Sequence, residues 1–148
     1  MSLLRKRQKA RRLLVQALYS WDLAGDNAGS IETHLRSEND FAKVDSELFH
    51  SIFLGVVNDV ARVDGAYEPY LDRDQHQLDP ISKAILRIST FELVNRIDVP
   101  FKVVINEAIN LAKTFGPADA FKFVNAVLEG VAENFRGPEL LKGSVRGG

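Results

Sequence analysis

The residues best suited to bind a polyanion lie together in the stretch Arg5–Trp21. On a helix, where successive residues are about 100° apart, this stretch has two unlike faces. Its apolar face recurs at spacings of three and four and consists of Ala10, Leu14, Ala17, Leu18 and Trp21. The opposite face carries cations, an amide and an aromatic ring, namely Arg5, Lys9, Arg12, Gln16 and Tyr19. One helix can therefore pack one side into a core and offer the other to the phosphates and bases of a single-stranded nucleic acid.

The distribution of charge supports a local site for a polyanion, although the whole chain has a formal net charge of only −1. The basic arm, residues 1–12, contains no acid and carries Arg5, Lys6, Arg7, Lys9, Arg11 and Arg12. A basic arm on an acidic body indicates one localised binding surface rather than general affinity for anions. The alternative interpretation is a flexible, solubilising arm ahead of an ordinary amphipathic helix.

Catalytic and metal-binding chemistry finds little support in the sequence. The chain has no cysteine, which excludes disulfides, zinc–thiolate sites and cysteine nucleophiles. His34, His50 and His76 lack the spacing of metal ligands, and Asp72 and Asp74 flank an arginine in a polar turn. No phosphate-binding loop or nucleophile motif occurs. We therefore expect a non-enzymatic protein with no catalytic residue, no metal and no cofactor.

The length and hydropathy of the chain point to one water-exposed domain. Its 148 residues suffice for a single hydrophobic core. No apolar run reaches the roughly 18–20 residues that span a bilayer, and the N-terminus lacks the apolar region and cleavage site of a secretory signal. We expect a cytoplasmic protein without membrane contact.

The periodicity of apolar residues predicts an all-α fold with about seven helices, because no long segment alternates with period two. The first helix is predicted over about residues 3–23, and Asp79-Pro80 supplies an N-cap and a first-turn proline for another. Gly116-Pro117 ends one helix and opens the last. We expect two small antiparallel three-helix bundles within a single domain, 1–148. The N-terminal bundle covers about 3–75, the C-terminal bundle about 80–135, and the tail 137–148 is predicted to be disordered.

The sequence also predicts a bend, a helix cap and the burial of several side chains. Asp64-Gly65 is predicted to bend the chain, and Ser30 to cap a short helix. Asn106 and Asn125 stand among apolar neighbours and are expected to be buried. Phe121 and Phe123 point about 200° apart on a helix, so Phe121 is assigned to the core and Phe123 to the surface.

Blocks of sequence along the chain resemble one family. They are Val15–Trp21, Lys83–Ile88, Phe91–Leu93, Val99–Ala108, Leu111–Gly116 and Lys122–Leu128. These blocks are similar to the NusB family of transcription antitermination factors, in order and without a large gap from about residue 5 to residue 135. Because the matches fall in separate helices, the resemblance is far more specific than any single motif.

The resemblance implies a fold of two three-helix bundles and a role without catalysis. Members of the family bind a boxA RNA element together with NusE, a small-subunit ribosomal protein. The complex helps RNA polymerase to resist termination on ribosomal RNA operons. Family members occur as monomers and as dimers, so a homodimer is possible here.

The resemblance also assigns residues. The RNA-binding positions carried over are Arg7, Arg11, Tyr19, Lys122 and Phe123, to which the charge pattern adds Arg5, Lys6 and Lys9. Asp119 matches a family acid and is expected to lower RNA affinity by repelling phosphates. The protein partner is expected near Ser82 and Lys83, although relatives can carry an acid where Ser82 stands.

Two alternative functions stay open on the sequence alone. A similar helical domain precedes the catalytic domain of certain ribosomal RNA cytosine methyltransferases, so the chain can be an RNA-binding module of such an enzyme. It can also be a protein-only scaffold whose basic arm binds acidic partners.

Overall fold

The computed structural model describes residues 1–72, 74 and 77–140, and every regular element in these residues is helical. The α-helices are α1 (Leu3–Ala24), α2 (Ala28–Glu38), α3 (Ser46–Asn58), α4 (Val60–Tyr67), α5 (Pro80–Asn95), α6 (Phe101–Phe115) and α7 (Ala120–Phe135). Short 3-10 helices occupy Phe41–Lys43 and Glu68–Tyr70. The all-α prediction is confirmed. His76 lies outside the described residues.

Side chains at the helix starts explain where several helices begin. Asp79 accepts a hydrogen bond from the N–H of Ser82, and Pro80 follows it as the first residue of α5, as predicted. Asp45 caps α3 in the same way. The cap of α2 is Asn27 rather than Ser30, because the Asn27 side chain accepts the N–H of Ser30 and so starts the helix earlier.

Helix α5 is the centre of the packing. The helices α1, α2 and α3 contact one another, and α5, α6 and α7 form a second group. Helix α5 also contacts α1, α3 and α4, so both groups bury their apolar faces in one continuous core. Its central position explains why α5 is buried on nearly every side, with polar residues such as Ser89 and Thr90 inside.

The break between α3 and α4 differs from the prediction. It falls at Asp59, and α4 runs straight through Gly65. Asp64 is buried, and its carboxylate accepts hydrogen bonds from the Tyr67 hydroxyl and from the Arg87 Nε, each at 2.9 Å. These bonds hold Asp64 within the helix, so the expected bend at Asp64-Gly65 is wrong.

The segment after α7 also differs from the prediction. Residues 137–140 are helical and Leu140 packs against the core, whereas a disordered tail was expected from residue 137. Arg136 and Glu139, which we call the C-terminal clip, fix this segment through an ion pair of 2.7 Å. Glu139 Oε1 also accepts the N–H of Phe101 at 3.0 Å. Residues 141–148 lie outside the described residues.

The C-terminal clip makes stability depend on acid. Partial burial tends to raise the pKa of Glu139, but the N–H of Phe101 and the Arg136 guanidinium hold it below the ordinary value of 4.5. A carboxyl whose pKa is lowered on folding stabilises the protein above its unfolded pKa and loses that contribution as the pH falls. We expect the free energy of unfolding, measured with urea, to decrease as the pH is lowered through about 4.5. The Glu139→Gln variant should show a weaker dependence on pH. An identical pH profile for the variant would contradict the role of the clip.

Candidate nucleic-acid interface

Two arginines of the basic arm point inward. Arg11 is only 1% exposed, and its Nε and Nη2 donate to the Glu92 carboxylate at 2.9 and 2.8 Å. Burial tends to lower the pKa of Arg11, but the bonds to Glu92 outweigh it and raise that pKa. The expectation that Arg11 contacts RNA is therefore corrected, because its guanidinium is sealed against α5.

Arg7 is also held by acids. Its Nε donates to Asp45 at 3.2 Å, and its Nη2 lies 3.5 Å from a carboxylate oxygen of Asp98. Asp45 precedes α3 and Asp98 lies between α5 and α6, so Arg7 ties three parts of the chain together. Arg7 and Arg11 are four residues apart and share one face of α1. That face anchors the helix through acids of other segments, with Arg11 buried and Arg7 partly exposed.

The remaining cations of the basic arm face outward. Arg5 and Arg12 are exposed, while Lys6 and Lys9 are partly exposed. Within the described residues, none of the four forms an ion pair with an acid. Tyr19 is 41% exposed and lies seven residues after Arg12, on the same face of α1. The face of α1 that the sequence predicted to point outward is therefore at the surface.

Arg12 borders two neighbouring depressions. The first, of about 370 Å³, lies between α1 and the segment 39–44 and includes Lys9, Arg12 and Lys43. The second, of about 290 Å³, lies between α1 and α6, and we call it the α1–α6 groove. It is lined by Gln8, Arg12, Glu107, Asn110, Leu111, Lys113 and Thr114. Arg12 therefore lies between Lys43 of the segment 39–44 and Lys113 of α6.

The first turn of α7 lies next to Lys113 of the α1–α6 groove. The Lys113 Nζ lies 4.8 Å from the centre of the Phe121 ring, and the Lys122 Nζ lies 5.9 Å from it. Phe121 was expected to lie fully in the core, but it is only half-buried. Lys113 also lines the α1–α6 groove, so this lysine links the ring of Phe121 to that groove.

Phe123 lies on another side of α7. It is half-buried and packs against the edge of the core. Gly130 is seven residues later and so shares its side of the helix. A Cβ atom at Gly130 would overlap the ring of Tyr70, which shows that this side faces the 3-10 helix Glu68–Tyr70. Phe121, and not Phe123, is therefore the ring of α7 that contacts a residue of the α1–α6 groove, Lys113.

Asp119 precedes α7 in a left-handed conformation, with φ of 65°. Its side chain is exposed and lies 3.7 Å from the Lys122 Nζ. The acid thus sits beside a cation of the candidate surface, where it offsets part of the positive charge.

The two residues expected to meet a protein partner differ in their surroundings. Ser82 is 1% exposed, so it cannot reach a partner, and that expectation is corrected. It is buried because it lies on the side of α5 that faces the core, whereas its neighbours Ile81 and Lys83 are partly exposed. Lys83 is partly exposed and lies 4.0 Å from a carboxylate oxygen of Asp22 at the end of α1. Arg87, one turn later, bonds to the same Asp22 at 3.2 Å.

Other expectations have mixed outcomes. Asn106 is exposed and Asn125 is half-buried, so the expected burial of Asn106 is wrong. Both line a surface depression between α6 and α7, where an amide can reach water. His34 and His50 are exposed. Across the part of the chain that the structure describes, no three acids, histidines or cysteines come close enough to hold a metal, and no helix is long and apolar enough to cross a membrane.

A further depression, of about 520 Å³, lies between α3, α4 and α5. Its lining is largely apolar and includes Phe91, Val94 and Phe135. Its charged residues, Asp59 and Arg62, pair with each other at 4.0 Å. Without unpaired cations it does not match a surface for nucleic acid.

Comparisons with known proteins place this geometry in context. The sequence model of the NusB family matches residues 8–133. The chain is 51% identical over 130 residues to the transcription antitermination protein NusB of Alcanivorax borkumensis, covering 88% of this chain and 87% of that protein. It is 48% identical over 134 residues to the protein of the same name from Teredinibacter turnerae, covering 90% and 91%.

Solved structures of NusB proteins have a similar fold. A structure of T. maritima NusB superimposes with a TM-score of 0.79 at 24% identity, covering 90% of this chain and 96% of that one. A chain of a crystal structure of the antitermination factors NusB and NusE in complex with dsRNA superimposes with a TM-score of 0.74 at 25% identity, covering 88% and 98%.

Proposed function

The chain belongs to the NusB family, and on that premise we propose that it is a non-enzymatic transcription antitermination factor. It binds boxA-like single-stranded RNA together with the ribosomal protein NusE and acts in the RNA polymerase antitermination complex on ribosomal RNA operons. It works in the cytoplasm. The names of its relatives support the antitermination role, and the solved complex of NusB, NusE and dsRNA supports binding of RNA together with NusE.

One observation carries the RNA-binding part of the proposal, namely the position of Arg12. Its exposed guanidinium borders both the loop depression with Lys9 and Lys43 and the α1–α6 groove with Lys113. Phosphates of one strand can follow these cations from the loop across α1 to α6, because each charge lies in a depression adjoining the next. Phosphate contacts of this kind supply affinity and salt dependence without reading sequence.

The cations Lys43, Lys9, Arg12 and Lys113 form what we call the phosphate track, and the other proposed contacts lie around it. Arg5 and Lys6 extend it towards the N-terminus, and Lys122 extends it at α7. Tyr19 offers an exposed ring on the same face of α1 for stacking. Unpaired bases are needed for such stacking, which favours single-stranded RNA over a duplex whose bases are paired and stacked.

Three residues of the family pattern have secondary roles in the proposal. Phe123 lies at the far side of the first turn of α7, where a strand would arrive after passing Lys122. Asp119 reduces the local positive charge and is proposed to weaken RNA binding. Lys83 remains the proposed contact for NusE at the start of α5.

The salt dependence of RNA binding tests the phosphate track. We expect Arg12→Ala to weaken binding of boxA RNA and to reduce the slope of log affinity against log salt by about 0.7–1, because one phosphate contact is lost. The measurement is a fluorescence titration at several salt concentrations. Arg62→Ala is the matched control, since Arg62 is an exposed arginine beside the apolar depression near α4. Equal slopes for wild type and Arg12→Ala would contradict the track.

A titration with different RNAs tests the function itself. The full chain should bind single-stranded boxA RNA more tightly than a scrambled strand or a boxA duplex, and NusE should strengthen this preference. Equal affinity for all three RNAs, with and without NusE, would refute sequence-specific binding. A pull-down of partners that resists ribonuclease and retains no RNA would instead support the protein-only scaffold. Methyl transfer from a labelled donor would support the methyltransferase module.

A further inference from the structure

We infer that the α1–α6 groove, with the ring of Phe121 at its edge, is a subsite for one unpaired nucleotide of the bound RNA. The inference rests on the proposed function and adds to it the place where a base is held. It assigns a role to Phe121, which the sequence placed in the core, and to Lys113 and Asn110, to which the sequence analysis assigned none.

The lysines around Phe121 indicate how a base would be received. The ring attracts the ammonium of Lys113 at 4.8 Å because the face of an aromatic ring is electronegative. A nucleobase stacks on the same face with more contact area. When a base arrives, Lys113 can turn from the ring to the adjoining phosphate, so that the cation is not lost from the site. Lys122, at 5.9 Å from the ring, is placed to hold the next phosphate.

The groove also offers groups that can recognise the edge of a base. Asn110 is exposed and its side-chain amide makes no hydrogen bond to any described residue. Gln8 donates through Nε2 to Glu107 at 3.0 Å, which fixes its amide and leaves its carbonyl oxygen available. Amide side chains provide both donors and acceptors, as the edge of an unpaired base requires. Arg12 closes the groove on the side of α1.

The position of the ring distinguishes Phe121 from Phe123. Phe121 shares Lys113 with the groove, whereas Phe123 lies on the side of α7 that faces the 3-10 helix Glu68–Tyr70. A strand that follows the cations of α1 and α6 therefore meets Phe121 first. Phe121→Leu keeps an apolar side chain at the core edge and removes the flat ring.

The test combines this variant with damage to the RNA. Single-stranded boxA RNA is made with one abasic nucleotide at each position in turn, and each affinity is measured for wild type and for Phe121→Leu. For wild type, loss of the stacked base should weaken binding roughly five- to hundred-fold. For Phe121→Leu, the intact RNA should bind about as weakly as that abasic RNA does to wild type. Removing the same base should then have little further effect, because the contact is already absent.

Controls separate a stacking contact from a loss of structure. Phe121→Trp should restore affinity, because the larger ring can stack. Phe135→Leu, an equal change at the opposite end of α7, should leave affinity unchanged. Equal losses for wild type and Phe121→Leu at every abasic position would overturn the inference, and so would coupling to Phe123→Leu instead. In both cases tight binding of boxA RNA by wild type would leave the proposed function intact, whereas its failure to bind would refute that function.

Discussion

Replacing Glu92 with leucine should lower the free energy of unfolding by about 3–5 kcal/mol, the cost expected when one partner of a buried ion pair is removed. Arg11 is 1% exposed and would keep its charge without the two bonds it donates to Glu92. Among the described residues no second acid forms an ion pair with Arg11 that could replace these bonds. Urea unfolding followed by circular dichroism measures the effect.

A double variant shows whether the pair itself stabilises the fold. Arg11→Met combined with Glu92→Leu should recover most of the loss, since two apolar side chains can fill the same space. Arg7→Met is the matched comparison and should cost at most about 1 kcal/mol, because Arg7 is partly exposed to solvent. A double variant as unstable as Glu92→Leu would contradict this account. Arg11→Met, unlike Arg12→Ala, should leave the salt slope of RNA binding unchanged in protein that remains folded.

Replacing Arg136 with methionine should also lower the free energy of unfolding by about 3–5 kcal/mol, because several buried bonds from a charged donor are lost together. Arg136 is 4% exposed and donates to the carbonyl oxygens of Glu92, Leu93, Arg96 and Val99. These carbonyls lie at the end of α5 and in the turn that follows, where backbone donors run short. Those of Glu92 and Arg96 also accept the N–H of Arg96 and Val99, whereas those of Leu93 and Val99 accept no backbone N–H from the turn among the described residues. Methionine has a similar length but no donor, so the carbonyls of Leu93 and Val99 lose the donor that is bonded to them, and those of Glu92 and Arg96 keep only a backbone N–H.

Thermal and urea unfolding of Arg136→Met would measure this loss. Glu139→Gln provides the graded comparison, because it weakens the C-terminal clip and keeps the guanidinium in place. It should cost clearly less than Arg136→Met at neutral pH. Equal stability of Arg136→Met and wild type would show that the carbonyls at the end of α5 find other partners.

Local chemistry made much of the fold predictable. Helix α6 ends at Phe115, as the Gly116-Pro117 boundary predicted. Helix α5 begins at Pro80 because Asp79 caps it, a signal contained in two adjacent residues. The exposed face of α1 was equally readable, because amphipathic spacing places Arg12 and Tyr19 opposite the core.

Features that depend on distant partners were not predictable. The cations of the basic arm look alike in sequence, but Arg11 meets Glu92, 81 residues later, and is buried. Asp64 stays within a helix only because Arg87 pairs with it. The role of Phe121 depends on Lys113 of another helix, so no local pattern reveals it. A weak signal existed for Arg136, since an arginine just after a helix end can bind carbonyl oxygens.

The two links between α1 and α5 have a consequence for the speed and cost of binding. Arg11 holds α1 to Glu92, and Asp22 holds it to Arg87 eleven residues further on, about 16 Å along the helix axis. Pinned at both points, α1 cannot roll about its long axis. Its outward face is thus preorganised before any ligand arrives, and the conformational entropy lost on association falls on the nucleic acid and on a few flexible side chains rather than on the backbone of the protein.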